Sequence, residues 1–140
     1  MSDELYDLDL TGVGVTPEKG IATIVTVECQ EKSSAEGAKW NKDGTSTVEY
    51  DVWKQVPNEL KRLHITMSIP EVAGYVWHDL YFSPKALRFT KDFLTAAGVS
   101  ITPQGFNPFE MLGKTVGYSG VNEDSGEYGI QFKFKNFFRA

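Results

Sequence analysis

A single cysteine, Cys29, excludes an internal disulfide, and with only two histidines, His64 and His78, no cysteine–histidine cluster has the spacing of a zinc site. No apolar run approaches the roughly 18 residues that a membrane span requires. The first residues are acidic where a secretory leader is basic and then apolar. The chain is therefore expected to be soluble and cytoplasmic, with no membrane attachment and no cofactor. Nucleophile elbows, glycine-rich phosphate loops and metal-ligand spacings are also missing. Gly12-Val13-Gly14 follows no buried strand, and Glu123–Asp124 lies in turn-forming sequence. His78 falls in phase with Val76, Leu80 and Phe82, the position of a core histidine rather than a catalytic one. An enzyme is not expected.

What is present argues for a folded, aromatic-rich domain: 41% of the residues are hydrophobic and 13% are aromatic, too apolar for a disordered chain. The net charge of −5 is unevenly spread. Residues 1–31 hold seven carboxylates and one lysine, whereas the remaining 109 residues hold 13 cations and 12 anions. An acidic arm, residues 1–19, thus precedes a nearly neutral domain, residues 20–140. Within the arm Tyr6, Leu8 and Leu10 alternate with Asp7 and Asp9, so it reads either as a solvated terminus or as an added edge strand. A low overall pI says little against nucleic-acid binding, because the field that matters is local.

The chain is organised around Leu63–Gly98. Leu63, Ile65, Met67 and Ile69 alternate with His64, Thr66 and Ser68, the period of a half-buried strand. After the turn at Pro70–Gly74, Val76, Leu80 and Phe82 take one face of a second strand, and Tyr75, Trp77, Asp79 and Tyr81 the other. Ser83 and Pro84 then read as the N-cap and first position of a helix. Leu87, Thr90, Leu94 and Ala97 form its apolar stripe, and Gly98 closes it.

Before this unit, Gly20–Gln30 is a β-branched strand, with Ile21, Thr23, Val25, Val27 and Cys29 expected on one face and Ala22, Ile24, Thr26, Glu28 and Gln30 on the other. Glu31–Thr45 is a long polar loop that holds Lys39, Trp40 and Lys42. Thr47–Val56 alternates through Val48, Tyr50 and Val52, either as a strand of its own or as the start of the strand at Leu63. After the unit, Asn107 and Pro108 start a short second helix. Lys114–Val121 and Tyr128–Phe138 are strands joined by a hairpin turn at Asn122–Gly126.

The expected fold is thus mainly β: a five-stranded OB-fold-like barrel with its helix between the third and fourth strands, although a generic antiparallel barrel or sandwich has the same strand count. With Leu80 and Phe82 inward, Tyr75, Trp77 and Tyr81 face out beside His64, Thr66 and Ser68. Such a face suits base stacking, with Trp40 as a further platform or else as an anchor folding its loop back. Lys39, Lys42, Lys54, Lys61 and Arg62 are the candidate phosphate contacts. The expected partner is single-stranded DNA. The alternatives are an aromatic face that docks another protein or a second copy of the chain, and a barrel that binds a carbohydrate or small ligand.

From Leu63 onward the sequence resembles a domain family of tailed bacteriophages that often has no assigned function. The matching pieces are Leu63–Ile69, Gly74–Tyr75, Val76-Trp77-His78-Asp79-Leu80-Tyr81-Phe82-Ser83, Phe93-Leu94-Thr95-Ala96-Ala97-Gly98, Met111-Leu112-Gly113-Lys114-Thr115-Val116, and Tyr128 with Asn136-Phe137-Phe138. The chain also looks like phage single-stranded-DNA-binding proteins built on the OB-fold. This resemblance implies a role in phage DNA replication or recombination in the host cytoplasm, with replication or recombination proteins as further partners and homo-oligomerisation open. Those proteins often carry an acidic C-terminal tail, whereas residues 130–140 here hold three cations and no carboxylate.

Overall fold

The computed structural model describes residues 16–33, 40, 45–124, 126 and 129–140. Lys39, Lys42, Tyr128 and the acidic arm up to residue 15 lie outside the described residues. Six antiparallel strands form one sheet curled into a half-barrel. They are β1 (Lys19–Lys32), β2 (Thr45–Thr47), β3 (Lys61–Ser68), β4 (Val76–Tyr81), β5 (Thr115–Asp124) and β6 (Ile130–Arg139). The sheet runs β4-β3-β1-β5-β6, with β2 added to the end of β1. Helix α2 (Leu87–Ala96) joins β4 to β5, so the mainly β, OB-like arrangement expected from the strand order is the one observed.

β1 departs from strict alternation. Its pairing with β3 shifts register between Ile24 and Thr26, so Val25 is an inserted residue and the faces swap there. Ala22 and Ile24 before the bulge, and Val27 and Cys29 after it, are the buried set. Ile21 and Val25, expected to share a face with Val27 and Cys29, are instead exposed. These core residues meet Leu63, Ile65 and Met67 of β3, Leu80 of β4, and Val116 and Tyr118 of β5.

The Thr47–Val56 alternation forms neither of the expected strands. β2 ends at Thr47, Val48 donates to the Cys29 carbonyl, and the chain then turns into a single helical turn, α1 (Tyr50–Trp53). Trp53 is the reason: its ring is buried against Phe82, and its indole N–H donates to the Arg62 carbonyl over 3.1 Å, plugging one end of the barrel.

α2 begins later than Ser83. The Ser83 backbone carbonyl, not its side chain, accepts the N–H groups of Ala86 and Leu87. The other end follows the sequence reading: Val99 N–H reaches the Leu94 carbonyl and Gly98 N–H the Thr95 carbonyl, with Gly98 at φ +78°. This is the left-handed glycine cap that only a residue without a Cβ adopts freely. Asn107 caps a one-turn 3-10 helix at Pro108–Met111, its Oδ1 accepting from Phe109 N–H. β5 runs on through Asn122–Asp124, so the hairpin turn lies later than its composition placed it.

Among the described residues, β4 and β6 each pair with a strand on one side only, and the half-barrel is open between them. α2 spans this seam. Beneath it His78 lies 4.7 Å from the Phe137 ring and Phe93 4.6 Å from the same ring, centroid to centroid. His78 is thus a core histidine, as its phase indicated, and burial pushes its pKa down to about 4.

Candidate nucleic-acid interface

Side chains of β1, β3 and β4 that point away from the core form the outer face, and the strand register arranges them in cross-strand rows. Trp77, Thr66 and Thr26 make one row; Asp79, His64 and Glu28 the next; Tyr81, Arg62 and Gln30 the third. Alternation along each strand puts all nine on one side, with Trp77 and Tyr81 about 13 Å apart, four residues at strand rise.

The Trp77 end is open. Trp77 is 61% exposed and Tyr75, in the turn before β4, is 56% exposed, while the neighbours Thr66, Thr26 and Ser68 are small and hydroxylic. The other end is closed. Arg62 is 1% exposed, its Nε donating to Gln30 Oε1 over 2.8 Å and its Nη1 to the Tyr81 hydroxyl over 3.1 Å. The same Nη1 pairs with Asp79 Oδ2 over 3.3 Å, and the second oxygen of Asp79 lies 2.6 Å from His64 Nδ1. Trp40 covers this cluster, its ring centroid 4.5 Å from the guanidinium carbon of Arg62 and edge-on to Tyr81 at 5.8 Å. The Lys32 ammonium sits 5.7 Å from the Trp40 ring.

The structure therefore sorts the candidate residues. Trp40, Tyr81 and Arg62 come together at one end of the face, and Tyr75 and Trp77 stand free at the other. Arg62 is corrected: buried and spent on three side chains, it is a structural cation and not a phosphate contact. Lys61 follows the same strand geometry to the opposite side, since successive strand residues point to opposite faces. Its ammonium lies 4.4 Å from the Trp53 ring at the plugged end, where burial lowers its pKa. Lys54, the residue that follows α1, lies 3.4 Å from Asp51 and 5.0 Å from the Tyr50 ring. Ile21 and Val25 on the outer side of β1 went unnoticed because the bulge that exposes them leaves no mark in composition.

Among the described residues no group of three histidine, cysteine, aspartate or glutamate side chains is placed to hold a metal ion, and no helix is long and apolar enough to cross a membrane. Comparison with models of protein families, with curated proteins and with solved structures finds no match.

Proposed function

We propose that the protein binds single-stranded DNA with little sequence preference, in the setting of phage replication or recombination that its sequence resemblance implies. One observation carries the reading: Trp77 on the outer face of β4 and Tyr75 in the turn before it stand exposed, with Thr66 and Thr26 across the strands and Phe132 and Phe134 on the side of the seam. In OB-folds this face and its loops commonly bind oligonucleotides. A base stacked on an aromatic ring contributes about 1–3 kcal/mol whatever its identity, so two free rings select for strand without selecting for sequence. Lys32, beside Trp40 at the far end of the face, supplies positive charge along the path.

Fluorescence anisotropy of a labelled oligo-dT at low and moderate salt tests this. Binding that weakens steeply with salt, and that Trp77→Ala reduces by roughly fivefold or more, supports it. No binding at low salt to either DNA or RNA strands overturns it.

A second reading, a face that docks another protein, is favoured by the exposure of Ile21 and Val25 on the outer side of β1. Such an interface responds weakly to salt, which separates the two.

A further inference from the structure

The open seam between β4 and β6 holds two hollows. One of about 420 Å³ is bordered by Tyr75, Trp77, Phe132 and Phe134. The other, of about 300 Å³, is bordered by Phe134, Phe137, Phe89, Asp92 and Lys135 over the edge of His78. Phe134 lines both, so the two hollows adjoin across it, one on the side of Trp77 and the other on the side of Phe89.

The second hollow is the more enclosed and the more chemically mixed. Its floor is aromatic, with the Phe134 and Phe137 centroids 4.9 Å apart. Phe89 on α2 forms a wall and is 71% exposed, an aromatic that the core does not use. Two charged side chains of opposite sign are among its lining residues, Asp92 from α2 and Lys135 from β6, and neither has an ion-pair partner among the described residues. His78 below them is uncharged at neutral pH, since burial holds its pKa at about 4.

An aromatic-lined hollow of this volume, near the lower bound for small-molecule sites, has room for one planar heterocycle. A carboxylate lining it only accepts hydrogen bonds, so it favours a ring that presents an N–H₂ group over thymine, whose edge offers a single ring N–H between two carbonyls. The Lys135 ammonium suits a phosphate attached to the same unit. We infer that the Phe89 hollow is a nucleobase subsite, taking one base with an exocyclic amino group from a strand that crosses the seam. This rests on the single-stranded-DNA reading and adds a mild base preference to it.

The test is heteronuclear NMR of the full chain titrated separately with dGMP and dTMP. The expected result is shifts at the amides of Phe89, Asp92 and Lys135 with dGMP, and weaker ones with dTMP. Phe89→Ala should weaken dGMP binding by at least about fivefold. Asp92→Ala should bring dGMP down to the level of dTMP. Both side chains are exposed, so neither change should disturb folding. Absence of shifts at these residues, equal response to the two nucleotides, or dGMP binding unchanged in Phe89→Ala overturns the inference. The outcomes separate it from the parent reading. Oligo-dT binding through Trp77 with a silent Phe89 removes the subsite alone. A dGMP response at Phe89 without oligo-dT binding upholds a nucleotide site and removes the strand path.

Discussion

The guanidinium carbon of Arg62 sits 4.5 Å from the Trp40 ring centroid, so of the two sequence readings of Trp40, platform or anchor, the contact is the one an anchor makes. The contact joins a polar loop to a strand and closes one end of the outer face. It also divides the candidate interface. Aromatics at the Arg62 end spend their surface on each other and on the cation, whereas Trp77 and Tyr75 have surface left for a ligand.

Arg62 should therefore act on stability and not on DNA affinity alone. Its Nε and Nη1 serve Gln30, Asp79 and Tyr81, and removing a partner from a buried pair costs about 3–5 kcal/mol. Asp79 is 22% exposed, which places Arg62→Met at the low end of that range. Arg62→Lys should restore only part of the loss, because one ammonium cannot reproduce a fork aimed at three acceptors. Urea unfolding of the three proteins checks this, and equal stability of Arg62→Lys and the parent would refute the fork.

His78 sets a pH window. Its folded pKa is about 4 against an ordinary 6.5, because burial among Phe93, Phe134 and Phe137 disfavours the charged ring more than Asp79 favours it. Between those two values the unfolded chain binds a proton that the folded chain refuses, so stability is full above about pH 6.5 and falls as pH drops towards 4. The two values correspond to about 3 kcal/mol. Melting temperatures measured across this range should fall less steeply for His78→Phe than for the parent. Parallel curves would mean that the ring is charged or solvated in the fold.

Much of this fold was legible because five strands and one helix carry strong periodicity. Leu63 to Ile69 and Val76 to Phe82 alternate cleanly, and the orientation of Trp77 followed from Leu80 and Phe82. Two kinds of feature were not legible. The bulge at Val25 shifts the phase inside an unbroken β-branched run, where isoleucine, threonine and valine suit either face. Non-local partners were the other: nothing near Arg62 in sequence tells that Gln30, Asp79 and Tyr81 converge on it, so a charged residue there reads as solvent-facing. Trp53 combines the two, since a single helical turn is too short for a period and its indole is fixed by Arg62, nine residues away.

Gly120 should resist any side chain, for reasons of space. A Cβ there would lie 2.4 Å from the Lys133 carbonyl oxygen and 2.3 Å from the Phe132 ring, beside the register shift between β5 and β6. The ring can swing away, but the backbone carbonyl cannot move without opening the strand pair. Gly120→Ala should therefore cost about 1–3 kcal/mol in denaturant unfolding, the range for overpacking a filled site. A change below about 0.5 kcal/mol, typical of surface substitutions, would show that β6 is free to shift there.

Trp77 and Tyr81 lie on the same face of the same strand, and their substitution should separate binding from stability. Trp77 is 61% exposed, so Trp77→Ala should leave the melting temperature nearly unchanged while weakening oligo-dT binding by roughly fivefold or more. Tyr81 accepts from Arg62 Nη1 through its hydroxyl and touches Trp40 through its ring edge. Tyr81→Phe removes one hydrogen bond to a charged group, a loss of about 1.5–3 kcal/mol, and should leave oligo-dT affinity near that of the parent. Measured together, the two variants locate the working end of the face. Loss of affinity in Tyr81→Phe with none in Trp77→Ala would move the interface from the open aromatics to the cluster around Arg62.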